Sequence, residues 1–262
     1  MLCISSAEDL SGVDTIMKIL LKASYDGSGY CGWQVQKNGV SVQGEISRAG
    51  REVYGTDVKI TGCSRTDSGV HALCYCFTLE APENAPKIPF DRLPTALNIK
   101  LNDDITVFSA EEVPDGFHAR YSVKGKTYEY RIDNGVYRNP FKVGYAWHLK
   151  RPLDEKIMNS AARAFIGKHN FAAFMASGSD ITDTVREVTH AEVIREGSEV
   201  IFRVSADGFL YNMVRIMTGT LTEVAYGKIR VEDMEDIILS ADRKKAGITA
   251  PPDGLYLKSV EY

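Results

Sequence analysis

The sequence contains no apolar run approaching the roughly 18 residues that a membrane-spanning helix needs, so we expect no membrane association. Cysteine is sparse: Cys3, Cys31, Cys63, Cys74 and Cys76 in 262 residues. No Cys-x-x-Cys occurs, and no histidine stands in the spacing of a zinc site, which argues against both a metal centre and a disulfide framework. A reduced, cytoplasmic protein is expected. Basic charge is not in excess either. With 31 Lys and Arg against 35 Asp and Glu, the net charge is -4, so no global field draws in a polyanion and any nucleic-acid site has to be a local patch. Residues 1–16 have no Lys or Arg but carry Glu8, Asp9 and Asp14, the wrong charge for a signal peptide. We expect them to be a non-essential extension.

What is present is ordinary globular composition, 44% hydrophobic and 25% charged, enough for one large domain or two small ones. Lys18 to Tyr25 reads as a strand, followed by a turn at Asp26-Gly27-Ser28-Gly29. Val42, Ile46, Ala49 and Val53 recur at helical spacing. Strands are expected near Val58 to Thr61, Val70 to Leu79 and Ile105 to Ala110, with a short helix over about Phe90 to Ile99. The order is βαββαβ, the ferredoxin-like arrangement. The second half repeats it. A strand over Val123 to Ile132 turns at Asn134-Gly135 and is expected to pair with Val143 to Leu149. A helix follows from Leu153 to Phe165, then a hairpin of Val185 to Arg195 and Val200 to Ala206, then a helix through Leu210, Met213, Val214, Met217, Leu221 and Val224, then a strand over Leu255 to Tyr262. The expected fold class is α+β: two ferredoxin-like halves, residues 17–114 and 115–262, joined side by side into one mixed, mostly antiparallel sheet with a central cleft.

Between Gly116 and Pro152 stand Arg120, Lys124, Lys126, Arg131, Arg138, Lys142, Lys150 and Arg151, opposed only by Glu129 and Asp133, with Tyr121, Tyr128, Tyr130, Tyr137 and Tyr145 among them. Cations for phosphates and rings for bases are what RNA binding requires, and a solvated strand face over core tyrosines is the plainer alternative. On a strand, Tyr128 and Tyr130 share one face and Thr127, Glu129 and Arg131 the other. One face must be buried, so not all of these groups can reach RNA.

The segment Gly62-Cys63-Ser64-Arg65-Thr66-Asp67-Ser68-Gly69-Val70-His71 is the richest in chemistry. Asp67 enters a Ser-Gly turn, which presents a side chain at a loop tip. The Arg-x-Asp spacing sets a cation near the carboxylate and favours its ionised form, and an ionised, positioned Asp can act as nucleophile or base. Two other motifs fail. Gly27-x-Gly29-x-x-Gly32 spells a dinucleotide fingerprint, but it runs into the turn signal Asn38-Gly39 instead of a helix. Asp67-Ser68-Gly69 lacks the second such triplet that an aspartic protease needs. The histidines at 71, 118, 148, 169 and 190 are scattered and read as structural.

Taken together, five ordered motifs resemble those of the tRNA pseudouridine synthase A family: Tyr25 to Gln34 with Ser41-Val42-Gln43; Arg65 to His71; Phe117 to Arg120 with Lys126 to Tyr130; Phe209 to Arg215; and Ala250 to Leu255. The chain departs from the family at Cys63-Ser64, at Ser68 and over Phe171 to Thr184. The resemblance implies that Asp67 is the catalytic nucleophile, that Arg65 helps hold the target base outside the stack, that Tyr128 packs on the uracil, and that Arg215 is the ion-pair partner of Asp67. It implies a homodimer acting on tRNA at positions 38, 39 and 40 of the anticodon stem-loop, with no metal, no nucleotide and no other cofactor. A non-catalytic RNA-binding protein of the same fold, or a synthase with another RNA target, is the alternative, and a dehydrogenase is a distant third.

Overall fold

Ser41 stops the chain in extended backbone and its side chain accepts from Gly44 N at 3.2 Å, an N-cap that starts the first helix where the apolar spacing begins. Such local signals set most of the elements. The computed structural model describes residues 18–37 and 39–262, so the expected extension over residues 1–16 and the Asn38 of the expected turn lie outside the described residues. In chain order the elements are β1 (Lys18–Tyr25), α1 (Val42–Tyr54), β2 (Lys59–Gly62), β3 (His71–Glu80), α2 (Leu93–Asn98), β4 (Ile105–Glu112), β5 (Gly125–Asp133), β6 (Trp147–His148), α3 (Glu155–Ala162), β7 (Gly167–Asn170), β8 (Val185–Glu196), β9 (Glu199–Ala206), α4 (Met213–Ala225), α5 (Met234–Ser240) and β10 (Leu255–Glu261). No helix among the described residues is long and apolar enough to cross a membrane.

One ten-stranded sheet runs β4-β1-β3-β10-β5-β9-β8-β7, with β2 on β3 and β6 on β5. Within residues 18–112 the order is β4-β1-β3-β2, and within 125–261 it is β10-β5-β9-β8. Each half therefore reads fourth, first, third, second, the ferredoxin-like order, and the sheet is mixed and mostly antiparallel as expected. Apolar stripes of the helices, among them Ile46, Leu93, Met158, Ile216 and Leu221, join Leu21, Phe77 and Phe202 of the sheet in a single hydrophobic core.

The halves meet at a fork in β3. Its Phe77–Glu80 end pairs with β2, while its first residues pair in parallel with β10, as His71↔Tyr256 and Ala72↔Leu257. The loop over 63–70 leaves the sheet at this fork, so Asp67 stands at the seam.

Three expectations are corrected. The stretch after Asn134-Gly135 is not a hairpin arm: only Trp147–His148 pairs with β5, and it does so in parallel. Asp133 and Asn134 take over the connection instead. Asp133 Oδ2 accepts from Asn139 N at 3.3 Å, and Asn134 Nδ2 donates to Leu149 O and Arg151 O. Second, β7 and α5 were not expected. Third, both faces of β5 are covered. Tyr128 and Tyr130 are buried, and so is Glu129 on the other face, because Arg131, Arg203 and Lys258 close over its carboxylate at 3.0, 2.8 and 3.0 Å.

Candidate active site

The 63–70 loop is built on the segment that follows β1. Tyr25 OH shares a 2.9 Å hydrogen bond with Thr66 Oγ1, and Trp33 N donates to Thr66 O at 3.2 Å. Ser68 Oγ donates to Tyr30 O at 3.1 Å, a bond that alanine could not make. Tyr75 OH donates to Ser64 O, and the Trp33 ring stacks on Tyr75 at 3.9 Å. Val70 N donates to Asp67 O and closes the turn. Two glycines let the backbones approach. A Cβ on Gly27 would sit 2.0 Å from Val70 O, and one on Gly32, at φ 102, would sit 2.4 Å from Thr66 O. Two of the three glycines that spell a dinucleotide fingerprint thus make room for the Asp67 loop.

Asp67 is partly shielded, its side chain 29% exposed, and its Oδ2 accepts from Arg215 Nη1 at 3.2 Å. Arg215 is fixed before any substrate arrives. Its Nε donates to Ala250 O at 2.8 Å and its Nη1 to Asn212 Oδ1 at 2.7 Å. Asn212 precedes α4 in the left-handed conformation, φ 60, which non-glycine residues adopt at a cost.

The Arg-x-Asp spacing set Arg65 as the cation beside Asp67, and that reading is corrected, whereas the resemblance implied Arg215. Arg65 is exposed on the cleft wall, and the ion pair to Asp67 is made by Arg215, 148 residues away. The expected direction of Asp67's titration is corrected as well. Burial raises its pKa, and the charge and hydrogen bond of Arg215 offset that only in part, so the net shift is upward. The loop tip lies under the second half of the molecule, and desolvation outweighs one cation.

Tyr128 lies in the same cleft, 7% exposed, edge-on to Phe209 with ring centroids 5.0 Å apart. Burial raises its phenol pKa, with Cys63 and Asp67 adding to the rise, so the hydroxyl is a donor at neutral pH. Asp67, Arg65 and Tyr128 line a cleft of about 530 Å³, a volume within the usual range for a small-molecule or nucleotide site. Its wall also holds Arg120, Lys126, Ser179, Asp180 and Phe209.

The basic stretch over 116–152 does not act as one surface. Arg120 and Lys126 reach the cleft. Lys142 is spent on Glu199 at 2.7 Å, Arg131 on Glu129, and Arg151 lies over the Tyr226 ring at 4.5 Å. Tyr130 is fully buried and donates to Pro251 O at 2.7 Å, whereas Tyr121 and Tyr137 are exposed. Sequence reasoning gave Asn212 no role, although it stands in the Phe209 to Arg215 motif directly before an apolar helix. His71, read as structural, packs at the seam. That buried ring has Nδ1 3.1 Å from Gly27 N and Nε2 2.9 Å from Gly144 O, and it stacks on Tyr256 across the seam. Among the described residues no cluster of His, Cys, Asp or Glu could hold a metal.

A family model described as tRNA pseudouridine synthase matches residues 22–122 and 161–262. The interval that holds Lys126 and Tyr128 falls between the two matched stretches. The chain is 46% identical over 244 residues to the tRNA pseudouridine synthase A of Thermoanaerobacter sp. (strain X514), covering 93% of this chain and 99% of that one. It is 44% identical over 244 residues to tRNA pseudouridine synthase A 2 of Clostridium perfringens (strain 13 / Type A), with the same coverage. To the tRNA pseudouridine synthase A of Halalkalibacterium halodurans it is 40% identical over 239 residues, 91% of this chain and 90% of that one.

Proposed function

We propose, from the premise that this chain belongs to the tRNA pseudouridine synthase family, that Asp67 is the catalytic carboxylate of an isomerase converting uridine to pseudouridine in tRNA. The reaction breaks the N1–C1′ bond, turns the base and joins C5 to C1′. A proton leaves C5 and one is gained at N1, so atoms and charge balance within the nucleotide. Nothing is oxidised and no phosphate moves, so the chemistry calls for no cofactor.

Asp67 acts either by attacking C1′ or by removing a sugar proton, and both routes need an ionised carboxylate. Arg215 supplies the cation that keeps ionisation accessible in a shielded site. The sugar carbon is out of reach inside a stacked helix, so the uridine has to be extruded. Arg65, free on the cleft wall, holds the vacated or extruded position, and Tyr128 packs against the uracil and offers its hydroxyl. The observation that carries this reading is the 3.2 Å pair of Asp67 with Arg215 in the same cleft as Tyr128. An RNA-binding protein without chemistry has no need of a carboxylate held there at a cost.

The target is uridine at positions 38, 39 and 40 of the anticodon stem-loop, and the working unit is a cytoplasmic homodimer. A second copy would bring two local basic clefts to one tRNA, which suits a chain of net charge -4. The test is to map pseudouridines in tRNA from cells with the gene, without it, and with Asp67→Asn in its place. Loss at 38–40 in both altered strains is expected. Loss elsewhere keeps the chemistry and changes the target, and an unaltered map overturns the assignment.

A further inference from the structure

Three cations line the cleft around Asp67: Arg65, Arg120 and Lys126. Arg215 has a carboxylate. Lys126 makes no ion pair among the described residues, and the charges of Arg120 and Arg186 act on it as like charges. Its ammonium is half-buried, and burial, with Arg120 and Arg186 adding to it, pushes its pKa down from the ordinary lysine range. A cation held in such surroundings is costly until an anion joins it.

Both side chains are carried on fixed backbone. Lys126 sits in β5, paired on one side with Ala206 and on the other with Val260. Arg120 sits in a turn whose backbone N–H groups at 120 and 121 are held by His118 Nδ1 at 3.1 and 3.3 Å. The buried Ala119 beside it accepts from Tyr262 OH at 2.8 Å. Arg120 itself lies 5.8 Å over the Tyr121 ring. A second pocket that Lys126 also lines, about 360 Å³, sets Glu187, Asp207 and Glu261 against Lys124 and Lys126 and disfavours an anion, whereas the cleft sets Arg65, Arg120 and Lys126 against Asp67 and Asp180. The cleft side is the one open to an anion.

We propose that Arg120 and Lys126 together hold one phosphodiester of the RNA strand beside the extruded uridine. This rests on the family reading for the nature of the strand and goes beyond it in assigning a second anchor, separate from the Asp67–Arg215 pair. One anchored phosphate fixes how far the backbone can slide when the sugar meets Asp67, which is a positioning advantage paid in binding energy.

The test is a coupling cycle on an anticodon stem-loop RNA in which the phosphates flanking the target uridine are replaced one at a time by neutral methylphosphonate. Affinities are measured with Asp67→Asn protein so that the RNA is not consumed. A single position is expected to weaken binding about ten-fold, and Lys126→Gln or Arg120→Gln to weaken the unmodified RNA by a similar factor, with the salt slope falling by about 0.7 per lost contact. Methylphosphonate at that position should then cost the variants nothing further, and Lys126→Arg should restore most of the affinity. Losses that multiply at every position overturn the proposal. So does a flat methylphosphonate scan, which needs no Lys126 or Arg120 variant and is untouched by any folding defect of one. Pseudouridine formation by the unaltered protein on the unmodified RNA reports separately on the family reading. Product with no coupling sinks the anchor alone, and coupling with no product sinks the reading alone.

Discussion

Asp67 is held between two influences of opposite sign, and the larger is burial. Its pKa is raised, so the acid limb of kcat/KM should fall above the roughly 3.9 of an ordinary aspartate. Arg215→Met removes the opposing cation and should move that limb to still higher pH while lowering the plateau. Arg215→Lys should move it less. A limb at or below 4 in the unaltered enzyme contradicts the raised carboxylate. The stability sign follows from the same shift. A carboxyl group raised on folding contributes stability below its unfolded pKa and loses that contribution as pH rises through its folded one. At neutral pH the ionised Asp67 therefore weakens the unliganded fold, and Asp67→Asn should melt no lower than the unaltered protein, bind tRNA and form no pseudouridine. Tyr128→Phe keeps the ring against Phe209 and removes a hydroxyl that stays protonated at neutral pH. A large loss of single-turnover rate with little change in affinity assigns the hydroxyl to the chemistry, and a rate like that of the unaltered enzyme leaves the ring alone as the contribution.

At the scale of elements, the site depends on where two backbones touch. Gly32→Ala puts a Cβ 2.4 Å from Thr66 O at a positive φ, a strain of about 1–3 kcal/mol delivered directly to the Asp67 loop. Activity should fall further than the melting temperature suggests. Asn212 separates two effects. Asn212→Gly keeps the left-handed backbone and removes the acceptor of Arg215 Nη1, whereas Asn212→Ala also carries a backbone cost of about 1–2 kcal/mol. Equal loss of activity with unequal melting assigns Asn212's role to aiming Arg215. Periodicity made most elements legible in the sequence, because it is set by neighbours along the chain: the Val42, Ile46, Ala49 and Val53 spacing of α1, the alternation of β5, the apolar positions of α4. What failed had distant causes. The expected strand over Val143 to Leu149 shrank to Trp147–His148, because Asp133 and Asn134 take the connection's hydrogen bonds. The cation that the Arg-x-Asp spacing set beside Asp67 gave way to a guanidinium from α4, which the family motif named and the local spacing did not.

At the scale of the whole molecule, strand pairing among the described residues joins the two halves through two residue pairs of β3 and β10, and a buried side chain reinforces the seam. His71 bonds to the Gly144 and Asp253 carbonyls. Within the second half, on the face of β5 opposite Tyr128 and Tyr130, Glu129 gathers Arg131, Arg203 and Lys258 from three strands. Burial alone would raise its pKa, but the three cations bring it down to about 2. A depressed carboxylate contributes stability that is present above its unfolded pKa near 4.3 and is lost as pH falls toward 2. Glu129→Gln should lower stability at neutral pH by about 2–3 kcal/mol, less than the figure for a fully buried pair because the cations are partly solvated, and should flatten the acid limb of a denaturation series. A variant as stable as the unaltered protein at pH 7 contradicts this.

The duplicated βαββαβ order, the loop around Asp67 and the family resemblance were determined by the sequence alone, since they are written in local spacing and short motifs. That Arg65 stays clear of Asp67, which way the Asp67 pKa moves, and which two of eight basic residues face the cleft were decided only by the tertiary structure. Those outcomes depend on desolvation and on contacts between residues as far apart as Asp67 and Arg215, and neither is a property of any stretch of chain read by itself.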